Sequence, residues 1–276
     1  MVDVTVLIIS FNEIENIPHA VKNCKGWAKE IIVLDSGSTD GTVEYLKAEQ
    51  CKVFYREFDN FSNQRKYLLN SIDVFTEWVF VLDADEYLTD ELKREIEEEL
   101  KNPKFDAYRI KRRFYWMGKW VKRGYYPTEL VRFGKYKLLD CDGRPINEHV
   151  ICKTDNVGSF ENDFIDENRN GLAAWFEKHN NYSSREADVL FEVDETKYNL
   201  FGSQYERKRW IRTNIWNKLP VFIRPFLYLN YRLFIKLGIL DGPRVALYHF
   251  LHAFIYRSMI DAKYLERKWA NNKRNQ

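Results

Sequence analysis

Apolar and polar positions alternate in two rhythms over the first hundred residues. Short β-branched runs, Val4–Ile9, Glu30–Leu34, Lys52–Arg56 and Trp78–Leu82, are separated by stretches whose apolar residues recur every three to four positions. The spacing predicts helices near Glu13–Cys24, Gly41–Glu49, Ser62–Asp73 and Thr89–Lys101, and hence βαβ units that build an α/β fold on a mostly parallel sheet. In such sheets ligands sit beyond the carboxyl ends of the strands. The polar segments Ser10–Glu13, Asp35–Asp40 and Asp83–Glu86, each following a strand, are therefore expected to line one cleft. From Phe105 to Val150 the alternation loosens, and Gly118, Gly124, Gly134 and Gly143 mark the expected turns of antiparallel strands. Asn170 to Val193 reads as a long helix.

Charge divides the chain in a way the hydropathy pattern does not. Residues 201–276 hold 15 Lys+Arg against 4 Asp+Glu, net +11, whereas the whole chain is only +2. This gives an expected organisation of an acidic α/β domain over residues 1–200 and a basic, aromatic helical tail over 201–276. On a helix from Val221 to Gly238, Arg224, Arg232 and Lys236 fall within an arc of about 120°, the rest being apolar. Such a helix suits a membrane surface whose anionic headgroups meet the cations, or packs on the α/β domain. Three charges interrupt the most apolar stretch, so spanning is not expected. Cys24, Cys51, Cys141 and Cys152 show neither metal-ligand nor disulfide spacing, and the N-terminus lacks a basic leader. The expected location is cytoplasmic, peripheral on the inner face of the cell membrane.

Asp83-Ala-Asp85 leaves a buried strand, and residues i and i+2 of an extended segment point the same way. Two such carboxylates suit a hard divalent cation, Mg²⁺ or Mn²⁺, that keeps substrate phosphates in its shell; a plain surface turn is the alternative. Asp35 stands where a carboxylate can accept from a nucleobase imide or a ribose hydroxyl, while Asp40 caps the following helix. Neither a G-x-G-x-x-G nor a phosphate-loop motif is present.

Four ordered motifs carry a resemblance: Ser10-Phe11-Asn12-Glu13, Asp35 through Thr42, Asn63-Gln64-Arg65 and Asp83 through Glu86 look like those of family 2 glycosyltransferases of the GT-A fold. The resemblance implies that Phe11, Glu13 and Asp35 hold the nucleoside and that Arg65 faces the nucleotide. Asp83 would touch the ribose and the metal region, and Asp85 would ligate the metal. Beyond Asp140, the segments Asn147-Glu148-His149, Asp166 through Arg169 and Lys178 through Tyr182 are similar to bacterial lipopolysaccharide core β-1,4-glucosyltransferases. In those relatives His replaces Asn147, and a His that contacts metal or diphosphate stands at the position of Asp166.

The implied activity is inverting, metal-dependent transfer of a sugar from a nucleotide-diphospho-sugar, UDP-linked by the family's habit, to a lipid-linked or lipopolysaccharide-type glycan. Inversion needs a general base. Glu148 is the first candidate and Asp166 the second, with Glu161, Asp163 and Glu167 as further choices; an ion pair between Glu148 and Arg144 is the structural alternative. His149 and His179 read as packed histidines, although His179 and Lys178 could reach a diphosphate. Trp116, Trp120, Tyr125 and Tyr126 read as core or rim aromatics. Two rivals remain: a sugar-phosphate nucleotidyltransferase, which would show a Gly-rich basic loop after the first strand, and a non-catalytic membrane adaptor. Nucleic-acid binding lacks any accompanying motif.

Overall fold

The structure, a computed structural model, describes all residues except 144–147, 190–200, 202–206, 208–209, 212–213 and 275–276. The chain forms two compact units, Met1–Asn170 and Gly171–Gln276. The boundary expected near residue 200 lies outside the described residues, and the long helix Gly171–Val189 (α5) belongs to the second unit.

In the first unit β1 (Val2–Ser10), β2 (Ala28–Asp35), β3 (Lys52–Tyr55) and β4 (Trp78–Asp83) run parallel in the order β3-β2-β1-β4. Helices α1 (Ile17–Cys24), α2 (Thr42–Ala48), α3 (Phe61–Asn70) and α4 (Asp90–Glu99) fall where the spacing predicts them. Period-two alternation explains how both sheet faces are covered. Val4, Val6 and Ile8 join Ile17, Val21, Leu92 and Ile96 on one side. Leu7, Val79 and Val81 join Leu68 and Leu69 of α3 on the other. Each fully buried Val, Leu or Ile stabilises by about 1.5–3 kcal/mol.

Beyond β4 the sheet becomes mixed. β8 (Glu129–Lys135) lies antiparallel between β4 and β6 (Ala107–Trp116), and β11 (Val157–Glu167) runs parallel to β6. The sheet then curls back on itself, because β5 (Glu86–Leu88), which follows β4 almost at once, pairs with β11 so that Asp166 stands opposite Glu86. Much of the aromatic content fills this region: Trp78 stacks on Phe133 at 5.2 Å and Tyr108 on Phe160 at 4.4 Å. Gly118, Gly124 and Gly143 adopt positive φ at turns, as expected. Gly134 does not; it lies inside β8, where a Cβ would come within 2.9 Å of the Ala107 Cβ, so close packing rather than a turn requires it.

The second unit corrects the expected tail helix. An α-helix covers only Ile223–Asn230, a π-helical segment follows over Tyr231–Ile235, and Leu237 at φ 58° breaks the run. Arg224 and Arg232 point inward. Asp261, on the helix Tyr256–Arg274, accepts from Arg224 and from the Phe222 backbone N–H, while Arg232 donates to His249 at 3.3 Å. Burying Arg224 requires the Asp261 carboxylate, since an uncompensated guanidinium would cost several kcal/mol. The apolar side faces outward instead: Ile223, Phe226, Phe234, Ile235, Leu237 and Leu240 are all exposed, Ile235 by 72%. His179 is packed, as read: it stacks on Trp175 at 3.8 Å, and burial holds its pKa down to about 4. Among the described residues no helix is long and apolar enough to cross a membrane.

Candidate active site

The loops that follow β1 and β2 form one hydrogen-bonded plate. Asp35, buried at the end of β2, accepts from Ser10 Oγ (2.7 Å), Ser38 Oγ (2.6 Å) and the backbone N–H groups of Gly37 and Ser38 (2.9 and 2.8 Å). Its lone pairs thus organise the loop, and a base imide would have to displace the Ser38 hydroxyl to reach it. Asn12, at φ 53°, links the two loops: its N–H donates to Ser38 Oγ and its Oδ1 accepts from the Thr39 N–H. Asp40 accepts from the Thr42 N–H and hydroxyl and from the Ile14 N–H. Desolvation opposes its ionisation, yet these bonds outweigh it and lower the pKa. Glu13 accepts from Asn16 Nδ2 at 2.6 Å and Asn170 Nδ2 at 3.2 Å. Phe11, next to Asn12 in the loop after β1, is 55% exposed.

Alternation along β4 turns Asp83 to the same side as Val79 and Val81, toward α3 and Arg65. Arg65 Nη2 donates to Asp83 Oδ1 at 2.7 Å and to Glu148 Oε1 at 3.0 Å, and its Nε donates to the same Glu148 oxygen at 3.3 Å. The second oxygen of Asp83 accepts from Arg132 Nη2 at 2.9 Å, and this nitrogen also reaches Glu86 Oε1 at 2.7 Å. Asp83 is therefore clasped between two buried guanidiniums in the series Glu148–Arg65–Asp83–Arg132–Glu86. Although burial opposes its charge, the two arginines hold the Asp83 carboxyl far below the usual range. Glu86 moves the other way, pushed up to about 8, mainly by burial, with Asp83, Asp166 and Asp85 adding to the effect against Arg132.

Asp85 sits apart from this clasp. It is half-buried, its Oδ2 accepts from Asn168 Nδ2 at 3.0 Å, and its backbone carbonyl accepts from the Glu167 N–H at 2.9 Å. No bond engages its other carboxylate oxygen among the described residues. One open carboxylate next to a second that is fixed, with substrate phosphates completing the shell, fits the oxygen chemistry of Mg²⁺ or Mn²⁺. Among the described residues no three His, Cys, Asp or Glu side chains cluster into a protein-only cage.

The structure brings Phe11, Glu13, Asp35, Arg65, Asp83, Asp85 and Glu148 to one edge of the sheet. Asp166 reaches it from β11 but pairs with Arg112 at 3.1 Å. Glu167 accepts from Tyr87 at 3.0 Å and pairs with Arg169. Asp163 is buried against Arg113 and Tyr126, and Glu161 is exposed farther down β11. Asn147 and Arg144 lie outside the described residues, so the partner seen for Glu148 is Arg65. Sequence reasoning missed Arg132 altogether. Gln64 and Glu86 stood within the quoted motifs but were given no role; Gln64 ties α3 to the Asp35 loop by donating to Ser36 Oγ at 2.8 Å.

A doubly covered α/β sheet with acidic and basic groups gathered where its parallel strands end is a ligand-binding architecture of the nucleotide-handling kind. Residues 5–161 match the model of Glycosyl transferase family 2, more than half of the 276-residue chain, and the chain belongs to that family. An uncharacterized glycosyltransferase of Rickettsia typhi is 33% identical over 130 residues, covering 46% of this chain and 44% of that one. The chain thus matches less than half the length of such curated relatives. Among solved structures, Staphylococcus aureus TarS 1–349 with UDP-GlcNAc aligns over 98% of this chain and 92% of its own, with 14% identity and a TM-score of 0.49. Mycobacterium tuberculosis glucosyl-3-phosphoglycerate synthase, solved with Mn²⁺, UDP and glucosyl-3-phosphoglycerate, aligns over 41% of this chain and 44% of its own, with 21% identity and a TM-score of 0.32.

Proposed function

We propose that this protein transfers a sugar, with inversion, from a UDP-linked donor to a lipid-linked or lipopolysaccharide-type glycan at a membrane surface, within the branch of lipopolysaccharide core β-1,4-glucosyltransferases it resembles. The observation that carries the reading is the pairing of a clasped Asp83 with an open Asp85 at the edge formed by the Phe11 and Asp35 loops. Phe11 stacks on the base, and the Ser10–Asp35–Ser38 plate orients the ribose and base edge. Asp85, with Asp83 beside it, would hold Mg²⁺ or Mn²⁺, which when bound neutralises charge on the departing diphosphate. Arg65 and Arg132 keep Asp83 ionised and fixed.

Glu148 serves as base. Its Oε1 is occupied by Arg65, so Oε2 is the atom that takes the acceptor hydroxyl proton. Calorimetric titration with UDP should show saturable binding that Mn²⁺ strengthens, and a screen of UDP- and GDP-sugars should show release of nucleotide diphosphate. Absence of nucleotide binding would overturn this reading in favour of a non-catalytic adaptor.

The membrane part rests on the exposed apolar face of the second unit and its net basic charge. With Arg224 and Arg232 turned inward, apolar burial becomes the larger contribution. Flotation of the full chain with vesicles of phosphatidylcholine and phosphatidylglycerol should therefore persist at 1 M salt, where the Debye length is about 3 Å. Phe226→Glu with Leu240→Glu should abolish it; flotation unchanged in that variant would remove the apolar face from the interaction.

A further inference from the structure

We infer that the hairpin rising from the end of β6, Trp116 to Pro127, binds an oxyanion of the acceptor, a phosphate or carboxylate; the inference rests on the donor site proposed above. The first unit carries 25 Lys+Arg against 31 Asp+Glu, yet the stretch Tyr108–Thr128 holds seven Lys+Arg and no acid. A basic stripe on an acidic body concentrates anions where it lies.

Topology places that stripe. β6 runs parallel to β11 with Phe114 opposite Asp166 and Tyr115 opposite Glu167, and the Glu167 N–H is bonded to the Asp85 carbonyl. The hairpin therefore leaves the sheet at the Asp85 edge. A tight turn at Met117 and Gly118, both at positive φ, folds Lys119 and Trp120 (β7) back onto Trp116 and Tyr115, and Val121 anchors the return in the core. Two of the strand arginines are neutralised from within, Arg112 by Asp166 and Arg113 by Asp163. Lys119 and Lys122 are different: both are exposed, and neither has an ion-pair partner among the described residues. Lys122 and Arg113 lie over the Trp120 ring at 5.2 and 5.1 Å, so cations and an aromatic face are presented together. A phosphorylated or uronic-acid-bearing sugar combines the two groups this surface would recognise.

The test uses the full chain saturated with UDP and Mn²⁺. Binding of glucose 6-phosphate is compared with that of glucose by Trp fluorescence and calorimetry, in the native chain and in Lys119→Glu/Lys122→Glu. The expected result is saturable binding of the phosphate sugar only, weakened about 10-fold or more in the double variant and restored in Lys119→Arg/Lys122→Arg, with UDP affinity unchanged within about twofold. Absence of glucose 6-phosphate binding, equal binding of glucose, or equal affinity in the double variant overturns the inference. A variant that keeps glucose 6-phosphate but loses phosphatidylglycerol vesicles also overturns it, assigning the lysines to lipid headgroups. The UDP titration reports on the donor site separately, so failure of one reading is distinguishable from failure of the other.

Discussion

Asp85→Asn is expected to cut metal-dependent turnover by roughly 10²-fold or more while leaving the melting transition in place. The loss follows from removing the charge of the carboxylate that keeps an oxygen open at the cleft edge. The fold should survive because Asp85 is half-buried and its side-chain partner is Asn168, a neutral amide to which the new side chain can still offer a carbonyl. Turnover measured against Mn²⁺ concentration, alongside urea unfolding, checks both halves. Native turnover would remove Asp85 from the metal site.

Glu148→Gln is expected to lower transfer by about 10²-fold or more with donor affinity near native, the scale for losing a general base. The amide keeps the shape and can still accept from Arg65, so Asp83 remains clasped; only the basicity of Oε2 disappears. Donor affinity by calorimetry and product by mass spectrometry, in one preparation, separate the outcomes. A parallel fall in UDP affinity would instead make Glu148 a positioning residue for Arg65. Transfer within a few fold of native would pass the role to Asp166 or Glu167.

Local rhythm made the first four strands and helices legible, because a buried parallel strand and an amphipathic helix each write their period into adjacent residues. The edge motifs were legible for the same reason: polar residues directly after β-branched runs have few other places to be. Arg132 was not legible. It occupies one position between Val131 and Phe133, where alternation predicts a solvent-facing side chain, and its partners Asp83 and Glu86 lie 49 and 46 residues earlier. The faint signal was the surplus of carboxylates in Asp83 through Glu86, which no nearby cation balances. The tail arginines show the complementary failure. Helical spacing correctly predicts that Arg224 and Arg232 share a side, but spacing carries no sign for inside or outside, and Asp261 stands 37 residues away from Arg224.

The clasp around Asp83 also constrains the order in which the chain can become native. Asp83 and Glu86 are built into the sheet by their own strand and turn, yet the guanidinium that stands between them arrives only with β8, and the carboxylate that completes Arg65 follows at Glu148. A nascent chain that has emerged only as far as α4 can pair Asp83 with Arg65 but has no guanidinium for the second Asp83 oxygen or for Glu86, and removing one partner from a buried ion pair costs about 3–5 kcal/mol. This edge of the sheet should therefore remain loosely packed until its later strands close over it. Docking of β8, a contact between distant parts of the chain, is thus a step that the full burial of Asp83 must await.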